Sequence, residues 1–205
     1  MRKVFFFDID GTLFDVSFFI NLLHKRLIDR FGLTNQDIMK LQVLYDEVKK
    51  ENGYFLPSSF LDKITTHFPF INKEKLKEVF YNIDLFEKSV YKDTSVIKSL
   101  ADSAIIGIFS QGEENFQKRK IVFIKNFLDE NRIYIFPNKL RQAIGVFPNY
   151  NEYDIFLVDD NLDLLKEIKN MYPNVYVILI DRNDRFGDNK GVIKIKDLNE
   201  LKSII

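Results

Sequence analysis

The chain has 205 residues, of which 46% are hydrophobic, enough for one cored domain or one domain carrying an insertion. Its 30 basic and 30 acidic side chains cancel, so no net field steers it towards nucleic acid or an anionic membrane. It has no cysteine, which excludes disulfides and cysteine-ligated zinc and fits a reducing compartment.

Arg2 and Lys3 precede an apolar run, Val4 to Phe7, that Asp8 cuts short. The run is too short for a signal peptide, and no later stretch is long enough to span a membrane, so a cytoplasmic protein is expected. Bounded by a turn signal, Val4–Phe7 predicts a strand buried on both faces. It delivers two carboxylates at alternate positions, Asp8 and Asp10, followed by Gly11 and Thr12. Residues two apart on an extended chain point the same way. The pair must therefore find a cation or keep a proton.

Next comes a long helical stretch. Val16 to Phe31 has helical apolar spacing, with Asp15 as its cap and Gly32 as its stop. Thr34 and Asp37 form a capping box for a second helix ending at Asn52-Gly53. A third runs from Pro57 to Thr66, and Asn72 caps a fourth with Leu76, Val79, Phe80 and Ile83 on one face. His24 and His67 fall here as isolated histidines and are expected to be packing or surface residues. Phe14, Phe18 and Phe19 are candidates for lining a pocket, although aromatic residues on a helix more often serve packing.

After about Tyr91 the pattern changes. Thr94 caps a helix through Ala101, and AIIGIFS (Ala104 to Ser110) predicts a strand. A long helix is expected from Glu113 to Leu128, then strands at Ile133–Phe136, Asp154–Asp159, Val175–Ile180 and Val192–Ile195, with a helix over Leu162–Asn170. Strands alternating with helices predict an α/β fold with a parallel sheet. Residues 1–15 and 92–205 would form that core, and 16–91 a helical insertion directly after its first strand.

Chemistry in open α/β sheets sits beyond the carboxyl ends of the strands. Ser110 ends the second strand, and its hydroxyl with the backbone N–H groups from Gln111 on, eased by Gly112, would cradle a phosphate. Lys139 lies just past the third strand, whereas Lys118, Lys120 and Lys125 lie inside the expected helix and need not point at the strand ends. Asp159 and Asp160 end the fourth strand, and Asp163 follows on the first turn of the next helix. Clustered carboxylates without histidine or cysteine call for a hard cation, Mg²⁺. Mg²⁺ with Lys139 leaves a pocket that suits a phosphate dianion, and a carboxylate can attack phosphorus to form an aspartyl-phosphate.

These motifs resemble those of the haloacid dehalogenase-like (HAD) superfamily. DIDGT is similar to its motif I (DxDx followed by Thr or Val), FSQG to motif II, Lys139 to the motif III lysine and VDDNLD to motif IV. The resemblance covers the α/β part in order, with the helical stretch where that family inserts its first type of cap. It implies a Rossmann-like parallel sheet core with an inserted α-helical cap, and Mg²⁺-dependent phosphoryl transfer. By the same resemblance Asp8 is the nucleophile, and Asp10 protonates the leaving oxygen and then activates water. Ser110, Gln111 and Lys139 hold the phosphoryl group. Asp8, the backbone carbonyl of Asp10, and Asp160 bind Mg²⁺, with Asp159 acting through water and Asp163 an alternative support.

The chain departs from that family in three places. Family dehalogenases lack an acid at the Asp10 position, the cap opens on Asp15-Val16 instead of Asp-Ser, and Leu140 follows the lysine where proline is common. The expected protein is a phosphatase of a small phosphomonoester, with no nucleic-acid or membrane partner. A phosphosugar mutase would use the same motifs. A non-catalytic phospho-ligand binding module would be expected to have lost Asp8 or Asp10. A signalling receiver domain puts its acid pair on the first strand and its phosphorylated aspartate on a later one, without a large helical insertion.

Overall fold

The computed structural model describes residues 2–187 and 189–204. The expected outer limits of the core, Met1 and Ile205, lie outside the described residues.

Six parallel strands form one sheet: β1 (Arg2–Phe7), β2 (Ile105–Gln111), β3 (Ile133–Phe136), β4 (Tyr153–Asp159), β5 (Tyr176–Ile180) and β6 (Ile193–Ile195). Their order across the sheet is β3-β2-β1-β4-β5-β6. Val4 to Phe7 are all fully buried because β1 lies mid-sheet with both faces covered. Phe5 and Phe7 pack with Ile108 and Val158 on one face, while Val4 and Phe6 pack with Phe109 and Leu157 on the other. Each such side chain removed from water contributes about 1.5–3 kcal/mol. The strand order reverses at β1, and such a reversal opens a crevice at the carboxyl ends of the strands.

Five helices follow β1 as an insertion: α1 (Val16–Phe31), α2 (Asn35–Asn52), α3 (Pro57–His67), α4 (Lys73–Phe80) and α5 (Ile83–Lys88). Asp15 caps α1 by accepting from the Phe18 N–H at 2.9 Å, and the Thr34–Asp37 capping box opens α2. The way into and out of this helical insertion runs side by side. Phe14 bridges Val90 antiparallel, the Asp15 N–H donates to the Ser89 carbonyl at 2.7 Å, and the Tyr91 N–H donates to the Leu13 carbonyl at 3.0 Å. Arg182, just past β5, clamps this junction. Its guanidinium donates to the Thr12 carbonyl at 2.8 Å, pairs with Asp93 and lies 3.7 Å from the centre of the Tyr91 ring.

The remaining helices are α6 (Val96–Ala101), α7 (Glu114–Lys120), α8 (Lys139–Val146) and α9 (Leu162–Met171). Three sequence expectations need correction. The helix capped by Asn72 stops at Phe80, because Asn82 caps a new helix by accepting from the Asp84 N–H, and Ile83 is left exposed. Thr94 is not a cap but sits inside a 3₁₀ turn (Lys92–Ser95), its hydroxyl donating to the Tyr91 carbonyl at 2.7 Å. The helix after β2 ends at Lys120 and continues as a 3₁₀ turn over Val122–Phe127. Ile121 and Ile124 are both buried, and the three-residue period of a 3₁₀ turn puts them on one face.

Candidate active site

All the strand-end residues come to the carboxyl edge around β1. Asp8 directly follows β1, and its N–H continues the ladder to the Val158 carbonyl at 2.9 Å. Ile9 turns the chain at once, its carbonyl accepting from the N–H groups of Leu13 and Phe14. Gly11 makes that turn with φ of 76°, and a Cβ there would lie 2.4 Å from Asp160 Oδ2. Glycine is thus demanded both by backbone conformation and by the close approach of Asp160.

Asp8, Asp159 and Asp160 each present a carboxylate oxygen, all within 4.8 Å of one another. Asn138 caps α8, so Lys139 is its first residue and reaches the same point. Its buried ammonium lies 3.0 Å from Asp8 Oδ1 and is hydrogen-bonded to Asp159 Oδ2. Asp159 Oδ1 accepts from the Asn161 N–H at 2.9 Å, so both Asp159 oxygens are engaged. Arg185, whose N–H donates to the buried Asp181, approaches Asp160 Oδ2 at 3.5 Å.

One buried lysine is too little charge for three acids. Burial, then the Asp159 and Asp10 charges, push Asp8 up to about 6 against the opposing pull of Lys139. Burial and the Asp8 charge push Asp160 up to about 6 as well, and burial raises Asp159. Burial alone would lower Lys139, but the Asp159 and Asp8 charges win and hold its ammonium above its ordinary range. A hard divalent cation fits this oxygen-only donor set, because it would relieve the repulsion the cluster carries. Asp8 and Asp160 have oxygens free to hold it, whereas Asp159 is committed to Lys139 and the Asn161 N–H.

Ser110 is fully buried in β2, and its hydroxyl has no hydrogen-bond partner among the described residues. The Gln111 side chain is exposed, while its carbonyl accepts from Gln117 at 2.7 Å. Gly112 has φ of 148° and faces Gln117, where a Cβ would meet Nε2 at 2.7 Å. Asp163 is exposed and lies apart from the acidic trio. Asp10 is not in that trio either. Its carboxylate is held by Lys120 at 2.6 and 2.9 Å and by Gln117 at 3.0 Å.

Lys120 and Gln117 are the residues that sequence reasoning missed. Lys120 lies inside the expected helix, where a side chain need not point at the strand ends, and no strand end or turn marks it. The local signal is its i, i+4 spacing from Phe116 on the helix that follows the Ser110 strand.

A cavity of about 550 Å³ joins this edge to the helical insertion. Phe14 and Phe19 line it and Phe18 does not, being 46% exposed. Tyr45, Lys49 and Phe55 contribute the far wall. His24 is half-buried there, its pKa lowered by burial, and His67 is exposed on the surface.

No protein-family model matches the chain, and no curated protein sequence matches it. Solved structures do match it over nearly their whole length. The sheet order, the flanking helices and the acidic edge define a haloacid dehalogenase-like fold. A haloacid dehalogenase-like hydrolase from Burkholderia xenovorans is 22% identical, with a TM-score of 0.76 over 98% of this chain and 97% of that one. The magnesium-bound HAD-hydrolase YfnB of Bacillus subtilis is 14% identical, with a TM-score of 0.67 over 99% and 98%. The L-2-haloacid dehalogenase of Xanthobacter autotrophicus is 12% identical, with a TM-score of 0.63 over 100% and 98%. Such a fold carries more than one chemistry, so the activity has to be argued from the site. Among the described residues no helix is long and apolar enough to cross a membrane.

Proposed function

We propose that this protein is a Mg²⁺-dependent phosphatase that hydrolyses a small phosphomonoester through an aspartyl-phosphate on Asp8. The observation that carries the reading is the second acid, Asp10, facing the same cavity as Asp8 and held there by Lys120 and Gln117. Dehalogenases of the resembling family have no acid at that position, and displacing a halide needs no proton donor. Releasing an alcohol from phosphorus does.

In this reading an Asp8 oxygen attacks phosphorus and the bond to the leaving oxygen breaks. Asp10 gives that oxygen its proton, and the alcohol departs. Water then attacks the phosphorus of the aspartyl-phosphate, Asp10 takes up its proton, and phosphate and free Asp8 are regenerated. Lys139, the Ser110 hydroxyl and the Gln111 N–H hold the phosphoryl oxygens. When bound by Asp8 and Asp160, Mg²⁺ supplies charge neutralisation that lets an anionic nucleophile approach an anionic substrate. Phosphate monoester hydrolysis can demand accelerations of up to ~10²¹, roughly 29 kcal/mol. General acid–base help supplies only about 10²–10⁴ of that, so nucleophile, cation and clamp must all act.

The helical insertion serves as a lid. A cavity of about 550 Å³ suits a small molecule and has no room for a folded partner. The test is a screen of phosphorylated metabolites with and without Mg²⁺, using the intact protein and Asp8→Asn. Mg²⁺-dependent phosphate release that Asp8→Asn abolishes without lowering the melting temperature is expected. Release of halide from 2-haloacids, with no phosphate release from any ester, overturns the reading.

A further inference from the structure

Asp10 is gripped by a helix more than a hundred residues away in sequence. Lys120 ends α7 with its side chain only 5% exposed and donates to both Asp10 oxygens, at 2.6 and 2.9 Å. One turn earlier, the buried Gln117 donates to Asp10 Oδ2 at 3.0 Å and to the Gln111 carbonyl at 2.7 Å. A buried ammonium needs a charged partner, and among the described residues Lys120 finds it in Asp10. Its nitrogen also lies 4.6 Å from the centre of the Phe116 ring. Phe116 is itself wedged among Phe55, Phe80 and Phe86 of the helical insertion, at 5.7, 5.6 and 5.8 Å between ring centres. The ammonium is therefore fixed from two sides.

The two buried lysines divide the carboxylates between them. Lys139 takes Asp8 and Asp159, and Lys120 takes Asp10. Without Lys120, Asp10 would be free to turn towards Lys139 or the cation and leave the leaving-group side of the cavity.

We infer that Lys120, supported by Gln117, is a positioning residue for proton transfer: it fixes the Asp10 carboxylate on the α7 wall, where the leaving oxygen and later the attacking water must pass. The inference rests on the phosphatase reading above. A purely structural ion pair would matter equally for every substrate. A positioning role matters most where the leaving group most needs a proton.

The experiment compares kcat/KM for p-nitrophenyl phosphate and phenyl phosphate, two esters of nearly the same shape, in the intact protein with saturating Mg²⁺. p-Nitrophenolate leaves readily without a proton, whereas phenolate does not. In Lys120→Met, kcat/KM for phenyl phosphate should fall towards the ~10²-fold scale of lost general acid help, while p-nitrophenyl phosphate stays within about threefold. Since kcat/KM reports steps up to loss of the first product, slowed water attack should appear separately, as a burst of p-nitrophenol followed by low kcat. Gln117→Leu should show the same selectivity more weakly, and it decides the matter if Lys120→Met does not fold. Equal losses for the two esters, or no loss, in folded variant overturn the inference alone. If the wild-type protein releases phosphate with Mg²⁺ from neither ester nor any metabolite of the screen, the phosphatase reading falls, and this inference with it; if only metabolites are turned over, the same comparison is made on two of them that differ in leaving-group pKa.

Discussion

Asp160→Asn should make the metal-free protein more stable while costing it its response to Mg²⁺. Burial and the Asp8 charge push Asp160 up to about 6 from its ordinary 3.8. At about 1.36 kcal/mol per pH unit, ionising it in the folded state costs roughly 3 kcal/mol. Its side chain is 31% exposed, and solvent screening brings the figure to about 1–2 kcal/mol. The sign follows from linkage. A raised carboxyl binds its proton more tightly folded than unfolded, so the cost is absent below the unfolded pKa near 4 and complete once the pH has risen well past the folded value. Asparagine keeps the shape and cannot ionise. Urea unfolding in chelator should therefore show the variant more stable by about 1–2 kcal/mol near pH 8, a difference that shrinks as the pH falls and is gone only below about 3.5. For a chain of this size the gain amounts to about 2–4 °C in Tm per kcal/mol. Adding Mg²⁺ to 100-fold above its dissociation constant should stabilise the wild type by about 2.7 kcal/mol and the variant far less. A variant no more stable than wild type near pH 8 in chelator would refute the claim that the acidic cluster carries unrelieved repulsion.

Lys139→Met removes the buried partner of both Asp8 and Asp159 and should cost about 3–5 kcal/mol by denaturant unfolding, with the larger loss at alkaline pH, where both acids are ionised. Gly11→Ala puts a methyl carbon 2.4 Å from Asp160 Oδ2 on a backbone with φ of 76°, so calorimetry should show weakened Mg²⁺ binding along with about 1–2 kcal/mol of lost stability. Burial and the Asp10 charge push the Tyr45 hydroxyl up to about 12, so it stays a donor across the physiological range on the cavity wall. Tyr45→Phe should raise KM by about 2–12-fold, the worth of one neutral hydrogen bond, with kcat little changed in steady-state assays.

What the sequence by itself determined is whatever depends on local period and strand ends. An apolar run that stops at Asp8, Ser110 or Asp159 says that a buried strand ends there, and parallel strands must all end at one edge. That is enough to bring those residues, with Lys139 just beyond its own strand, to a common site. The helical spacing from Val16 onward likewise marks where the sheet is interrupted. Tertiary structure alone decided which way helical side chains face and which lysine each acid pairs with. The i, i+4 spacing puts Lys120 on the face of Phe116 and Lys118 off it, but only packing brings that face onto Asp10, while Lys118 pairs at the surface with Glu114. Likewise the sequence grouped Asp8 with Asp10, but packing paired Asp8 with Asp159 across the sheet through Lys139 and sent Asp10 to α7. The physical reason is that a helix's local pattern defines its faces only relative to its own axis. Where each face points is set by what the helix packs against, and here that is an aromatic cluster from the helical insertion, distant in sequence, into which Phe116 is wedged.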